Sequence, residues 1–126
     1  MSSSSERVIR ASLWATAPLN LVAAVTFAVP AWGVGPFLQL PQEAHPLYTI
    51  LSGAMIGLFG AVYVWLALQD NIHRPLLLIG ACGKSLAVVI AVGLFAHGDL
   101  SGTTTVVLAG DAAFAALWFH WLSSSL

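Results

Sequence analysis

Two ionisable residues of this sequence lie inside apolar stretches, where a charge is costly. Lys84 follows Pro75 by nine residues, and Asp111 follows Thr104 by seven. At about 1.5 Å of rise per residue, their backbones differ in depth by only about 6 Å in a hydrocarbon core about 30 Å thick. Each charge left alone in hydrocarbon costs about 3 kcal/mol on insertion scales. The spacing therefore predicts that Lys84 and Asp111 pair near the middle of a membrane.

Two uncharged polar residues lie at a similar depth. Asn20 is in the first apolar stretch, soon after Pro18, which removes one backbone hydrogen bond from a helix. Tyr63 brings a hydroxyl group to this level in the second stretch. With Lys84 and Asp111 they would form a polar cluster with one member from each helix. We predict this cluster as a ligand-binding or proton-coupling site.

Two interpretations of the charged pair stay open. In the structural one, the two charges neutralise each other and fix the register of two helices. In the functional one, the pair is protonatable, because a lysine in low dielectric can lose a proton and a carboxylate can gain one.

The leading functional hypothesis is a midplane pocket that binds a lipid-like, quinone-like or anionic small molecule, since small residues nearby allow a cavity to form. A role as an accessory subunit fits the same features. The alternative is a proton-coupled small transporter or channel that uses Lys84 and Asp111.

The composition predicts which elements must position these groups. Four basic and five acidic residues make up 7% of the chain, whereas a soluble domain is about 25% charged. Residues 11–42 and 44–69 contain no charged side chain, and each run exceeds the roughly 20 residues that cross a bilayer. We predict an all-α, polytopic integral membrane protein with a single domain (1–126) and four spans at about 11–31, 47–68, 75–96 and 104–122. Short connections after the first predict an antiparallel four-helix transmembrane bundle.

The basic residues predict an orientation. Arg7 and Arg10 precede the first span and Arg74 lies between the second and third, whereas the two other connections contain no Lys or Arg. The positive-inside rule then places both termini in the cytoplasm. Four tryptophans are expected to anchor the same interface: Trp14, Trp65, Trp118 and Trp121.

The lipid bilayer is the expected partner, and a homo-oligomer or a larger membrane complex stays open. A net charge of −1 excludes a nucleic-acid binder, which needs a basic surface. The sequence contains no H-E-x-x-H, no G-x-S-x-G and no phosphate-binding loop, so an enzyme is not favoured. No opposed histidines lie within the spans, as a haem would require, and we predict neither a cofactor nor a metal site. The single cysteine, Cys82, excludes an intramolecular disulfide.

The two halves of the chain share a faint repeat. Pairs of residues recur at equal spacing, ten residues apart for Arg10–Asn20 and Arg74–Lys84 and eight apart for Gly57–Trp65 and Gly110–Trp118. Either chance similarity between apolar helices or a parallel two-plus-two repeat explains these matches.

Short motifs are spread over the four spans: an arginine before the first, FG-x-x-Y in the second, GK in the third and GD-x-x-FA in the fourth. Their residues are Phe59, Gly60, Tyr63, Gly83, Lys84, Gly110, Asp111, Phe114 and Ala115. With these motifs the chain resembles the DoxX-like proteins, a loosely defined group of small, mostly uncharacterised bacterial membrane proteins with four helices. The resemblance implies a four-helix fold in a bacterial inner membrane. It brings no established activity, but it implies that the GK and GD pair is the feature to test.

Overall fold

The described residues of the chain fold into helices joined by loops and turns. A computed structural model describes residues 3–124, so residues 1–2 and 125–126 of the predicted domain lie outside this part. Its helices are α1 (Ser4–Ala28), α2 (Pro46–Leu68), α3 (Arg74–Ala96), α4 (Gly102–Ala109) and α5 (Asp111–Ser124). Only Gly110 separates α4 from α5, and together they form a fourth long helix. Each of the four long helices is long and apolar enough to cross a membrane, which confirms the predicted all-α class.

Side-chain caps determine where the helices begin. Ser3 accepts a hydrogen bond from the backbone N–H of the third residue after it, at 3.1 Å, so α1 begins seven residues before the predicted span. His45 and His73 use their Nδ1 atoms in the same way before α2 and α3, and a proline occupies the first turn of each of these helices. Ser101 caps α4. His45 and His73 are therefore the N-caps of these two helices.

The helices associate as two pairs, α1 with α2 and α3 with α4 and α5. Small residues allow α1 and α2 to approach closely. A Cβ atom added at Gly53 would stand 2.6 Å from the carbonyl oxygen of Ala24 and 2.6 Å from the Cβ of Ala28. One at Gly60 would stand 3.1 Å from the Cβ of Asn20. The side chain of Asn20 thus lies against the backbone of α2 at Gly60.

An arginine joins the helices of each pair in the same way. Arg10, near the start of α1, donates a hydrogen bond to the carbonyl oxygen of Gln69, just past the end of α2, at 2.6 Å. Arg74, at the start of α3, donates to the carbonyl oxygen of Leu122 near the end of α5. The two acceptor residues occupy equivalent positions in the sequence repeat. Gln69 follows Gly57 by twelve residues, and Leu122 follows Gly110 by the same number. The guanidinium groups satisfy carbonyls that the helix ends leave unpaired, so the sequence repeat has a structural counterpart.

The core lies between the two pairs, toward the end of the bundle that carries Arg10 and Arg74, which we call the arginine end. Tyr63 from α2 and Trp118 from α5 are both fully buried there, with ring centroids 5.2 Å apart. The surrounding aliphatic side chains are Ile9, Leu13, Leu66 and Leu77.

The long connection, residues 29–45, covers the opposite end, which we call the loop end. Leu38 and Leu40 are buried, although the connection has little regular structure. The carbonyl oxygen of Leu38 accepts hydrogen bonds from the hydroxyls of Ser101 and Thr104 at the start of α4. The long connection is therefore tied to the second pair of helices.

The close approach of α1 and α2 predicts opposite effects for two glycines of α2. Gly53→Ala should lower the free energy of unfolding in detergent by about 1–3 kcal/mol, because the added methyl group overlaps backbone atoms of α1. Gly57→Ala is the matched control, since its Cβ would lie 3.5 Å from the nearest atom, an ordinary contact. It should be neutral or stabilising by up to about 1 kcal/mol, as alanine favours a helix. Equal losses in both variants would contradict this packing.

Candidate functional site

An ion pair lies where the long helices meet. Lys84 extends from the middle of α3, and its Nζ atom lies 2.9 Å from Oδ1 of Asp111, the first residue of α5. The two side chains differ in exposure, at 3% for Lys84 and 32% for Asp111. The ammonium is therefore enclosed by protein, whereas the carboxylate reaches the surface of the chain.

The other two predicted site residues also contact Lys84. Asn20 Oδ1 lies 3.5 Å from the Nζ atom, while Asn20 Nδ2 donates a hydrogen bond to the carbonyl oxygen of Ile56 at 3.0 Å. The bond to α2 turns the amide oxygen of Asn20 toward the ammonium. The ring of Tyr63 faces the same ammonium, with the Nζ atom 5.1 Å from its centroid. The structure thus brings the four residues together, although Tyr63 contributes its ring face where a hydroxyl contact was expected.

Two further aromatic rings complete the surroundings of the ammonium, and sequence reasoning missed both. The Nζ atom of Lys84 lies 5.1 Å from the ring centroid of Phe114 and 5.7 Å from that of Trp118. The negative faces of aromatic rings attract a cation. Trp118, expected as an interfacial anchor, is fully buried instead. The sequence contains a signal for this position, because Phe114 and Trp118 follow Asp111 by three and seven residues and therefore lie on the same face of a helix as Asp111.

The carboxylate lies beside an interruption in the fourth long helix. The backbone N–H of Gly110 donates to Val107 O and that of Ala113 to Gly110 O, both at 3.2 Å and three residues apart. These shorter steps replace the regular four-residue pattern and start a new helix at Asp111. Asp111 therefore lies at the start of α5, with Lys84 as its counter-charge at 2.9 Å.

Two apolar grooves in the described part of the chain lie away from the cluster, one along the second half of α1 near Trp32 and one along the start of α2 near Pro46. Within residues 3–124, no group of three or more His, Cys, Asp or Glu side chains is arranged to hold a metal ion. The charged groups of the cluster are therefore one buried cation, Lys84, and one partly exposed anion, Asp111.

Comparisons with protein-family models, with curated proteins and with solved structures find no match to this chain. The resemblance to DoxX-like proteins stays a prediction from short motifs.

The 2.9 Å contact predicts strong energetic coupling between Lys84 and Asp111. Lys84→Met and Asp111→Asn should each lower the free energy of unfolding, because each leaves one charge without its partner. The double variant should lose less than the sum of the two, by about 0.5–3 kcal/mol. Chemical unfolding in detergent measures all three variants. Lys84→Met combined with Asp99→Asn, a change in an exposed turn, is the control and should be additive. Additivity in the first pair would contradict the ion pair.

Proposed function

We propose that this chain is an integral membrane protein whose four long helices cross a bacterial inner membrane as an antiparallel bundle. The length and hydropathy of the helices support this proposal. Many aliphatic side chains are exposed where a soluble protein would bury them, among them Leu19, Leu58, Ile79, Val89 and Val106. Contacts between the start of one helix and the end of the next, made by Arg10 and Arg74, support antiparallel neighbours. The arginine end, with both termini, faces the cytoplasm in this proposal.

Within this bundle, we propose that Lys84 and Asp111 form the proton-binding site of a proton-coupled small transporter or channel. The observation that carries this proposal is the difference in exposure, 32% for Asp111 against 3% for Lys84. A site that exchanges protons needs an accessible group with a counter-charge fixed nearby. Asp111 is partly exposed on the surface of the chain, and Lys84 is the fixed counter-charge 2.9 Å from it.

The place of the pair in the bundle also supports a transport function. Small transporters built from internal repeats bind ions near the bilayer midplane, where the repeats meet and where helices are interrupted. In this chain each pair of helices carries one copy of the sequence repeat, and the polar cluster lies where the two pairs meet. The fourth long helix is interrupted at Gly110, directly before Asp111.

Protonation of Asp111 changes the charge of the pair from zero to plus one. The neutral carboxyl group attracts the ammonium of Lys84 less strongly than the carboxylate does. The ammonium keeps Asn20 and the three aromatic rings as partners. Because these partners come from both pairs of helices, the charge state of Asp111 acts on the contact between the pairs. A proton can thereby shift the population of two arrangements of the bundle.

Binding of a lipid-like, quinone-like or anionic molecule is the competing proposal. An anionic ligand must displace Asp111 to reach the ammonium, since Lys84 is enclosed. Such binding therefore requires a larger rearrangement than protonation does. Since four helices of this length enclose little space, a conducting form is proposed as a homo-oligomer or as part of a larger membrane complex.

Proton flux tests this function. The purified chain is reconstituted into liposomes that contain a pH-sensitive dye, and a potassium diffusion potential, negative inside, drives protons inward. Wild-type vesicles should acidify faster than empty ones. Asp111→Asn should reduce this rate by about a hundredfold, the order expected for loss of a positioned proton carrier.

The matched control is Asp99→Asn, which removes a carboxylate from an exposed turn and should conduct like the wild type. Normal flux in Asp111→Asn together with lower stability would make the pair structural and contradict the proposal. Wild-type vesicles that acidify no faster than empty ones would contradict it as well.

A further inference from the structure

The side-chain amide of Asn20 contacts both pairs of helices. Its Nδ2 atom donates a hydrogen bond to the carbonyl oxygen of Ile56 on α2 at 3.0 Å, and its Oδ1 atom lies 3.5 Å from Nζ of Lys84 on α3. The Cβ atom of Asn20 lies against α2 at Gly60, where an added Cβ would stand 3.1 Å from it. The backbone of α2 therefore holds this side chain at two points, while the amide oxygen faces the ammonium.

The two oxygen contacts of the Lys84 ammonium differ in length and in origin. Oδ1 of Asp111, from the same pair of helices, lies 2.9 Å from Nζ. Oδ1 of Asn20, from the other pair, lies 3.5 Å away, outside the range of about 2.7–3.2 Å that is typical of N–H···O hydrogen bonds. While Asp111 is ionised, the strong bond of the ammonium is therefore made within its own pair of helices.

Protonation of Asp111 alters this balance. One O–H bond forms on the carboxylate, and no other covalent bond changes. A hydrogen bond to a neutral acceptor is weaker than one to a carboxylate, whereas a buried ammonium still requires an oxygen partner. Lys84 is 3% exposed, and among the described residues the amide oxygen of Asn20 is the other acceptor near its Nζ atom.

We propose that Asn20 is a positioning residue that receives the ammonium of Lys84 when Asp111 is protonated. The ammonium then bonds across the contact between the two pairs of helices, and its distance to Asn20 Oδ1 shortens to about 2.9 Å. Because α2 holds the amide, Lys84 makes this movement. The inference rests on the proposed function and names the contact through which a proton on Asp111 acts on the first pair of helices.

Few other ionisable groups lie near this contact. The ionisable side chains that face Asp111 are Lys84 from α3 and Tyr63 from α2. The helix α4 contains no ionisable side chain. On α5, His120 is exposed and follows Asp111 by nine residues, and on α1 the nearest ionisable residue is Arg10, at the arginine end. The charge of the cluster therefore changes with the state of Asp111.

The structure provides matched variants for this role. Asn20→Leu removes the amide with a side chain of similar shape, whereas Asn20→Asp keeps an oxygen near Lys84 and adds a charge. Ser12→Ala is the control, because Ser12 also joins α1 to the second pair of helices, by accepting a hydrogen bond from Trp118 Nε1 at 2.8 Å. In the described structure the partners of Ser12 are Trp118 and its own helix, so the control weakens the contact between the pairs without a change at the ammonium.

Solid-state magnetic resonance in lipid bilayers measures the distance in the unaltered protein. The chain has one lysine, Lys84, and two asparagines, Asn20 and Asn71. Labels of ¹⁵N in lysine and ¹³C in asparagine therefore report one contact, and Asn71→Gln, a change in an exposed turn, identifies the signal of Asn20. On protonation of Asp111 the Nζ atom should approach the amide carbon of Asn20 by about half an ångström.

The pH profile of the Asp111 carboxyl signal tests the variants. In Asn20→Leu its midpoint should move by about one pH unit to lower pH, since the protonated state loses one hydrogen bond to a charged group. In Asn20→Asp it should move by about one to three units to higher pH, because a second carboxylate then neutralises Lys84. Ser12→Ala should keep the wild-type midpoint, although it should unfold more easily.

The role of Asn20 and the proposed function fail by different results. A distance that does not shorten on protonation, or wild-type midpoints in both Asn20 variants, would overturn the role of Asn20, while proton flux that depends on Asp111 would keep the proposed function. Flux in wild-type vesicles no faster than in empty ones would overturn the proposed function, whatever the midpoints are.

Discussion

The ion pair between Lys84 and Asp111 is the constraint on which the other contacts of the bundle depend. A charge among apolar side chains is tolerated only with an opposite charge and well-placed polar partners. For the chain's single lysine, which lies on α3, each of the other long helices supplies at least one of these partners. The carboxylate comes from α5, Asn20 from α1, Tyr63 from α2 and two more aromatic rings from α5. An ammonium on one helix with partners on the other three fixes the register of all four, so the same contacts determine the packing and form the site.

The two pairs of helices are alike at their ends and differ at their centres. An arginine at the start of each pair bonds carbonyl oxygens at the end of the partner helix. Ten residues further on, the first pair carries Asn20, which bonds a backbone oxygen of an unbroken helix. The second pair carries Lys84 at the equivalent place, which bonds Asp111 at a helix break. The shared features hold the helices together, and the proposed function resides where the two halves differ.

The depth of a residue along a membrane helix can be predicted from the sequence more reliably than the direction in which its side chain points. The proximity of Lys84 and Asp111 could be predicted because the rise per residue is constant and isolated charges must pair. The burial of Trp118 was missed because tryptophan also suits a membrane interface, and composition does not distinguish the two environments. The break at Gly110 was missed because no proline marks it and a single glycine is tolerated inside a helix at a small cost.

Magnetic resonance of the single lysine tests the central claim most directly. Because Lys84 is the only lysine, ¹⁵N labelling of lysine gives one side-chain signal, and ¹³C labelling of aspartate reports the carboxyl group in contact with it. Near neutral pH the account predicts an ammonium nitrogen in contact with one ionised carboxylate. In acid, while the protein stays folded, that carboxyl signal should move to its protonated position and the nitrogen should remain an ammonium. A neutral amine, or a carboxylate that stays ionised throughout the folded range, would contradict the account.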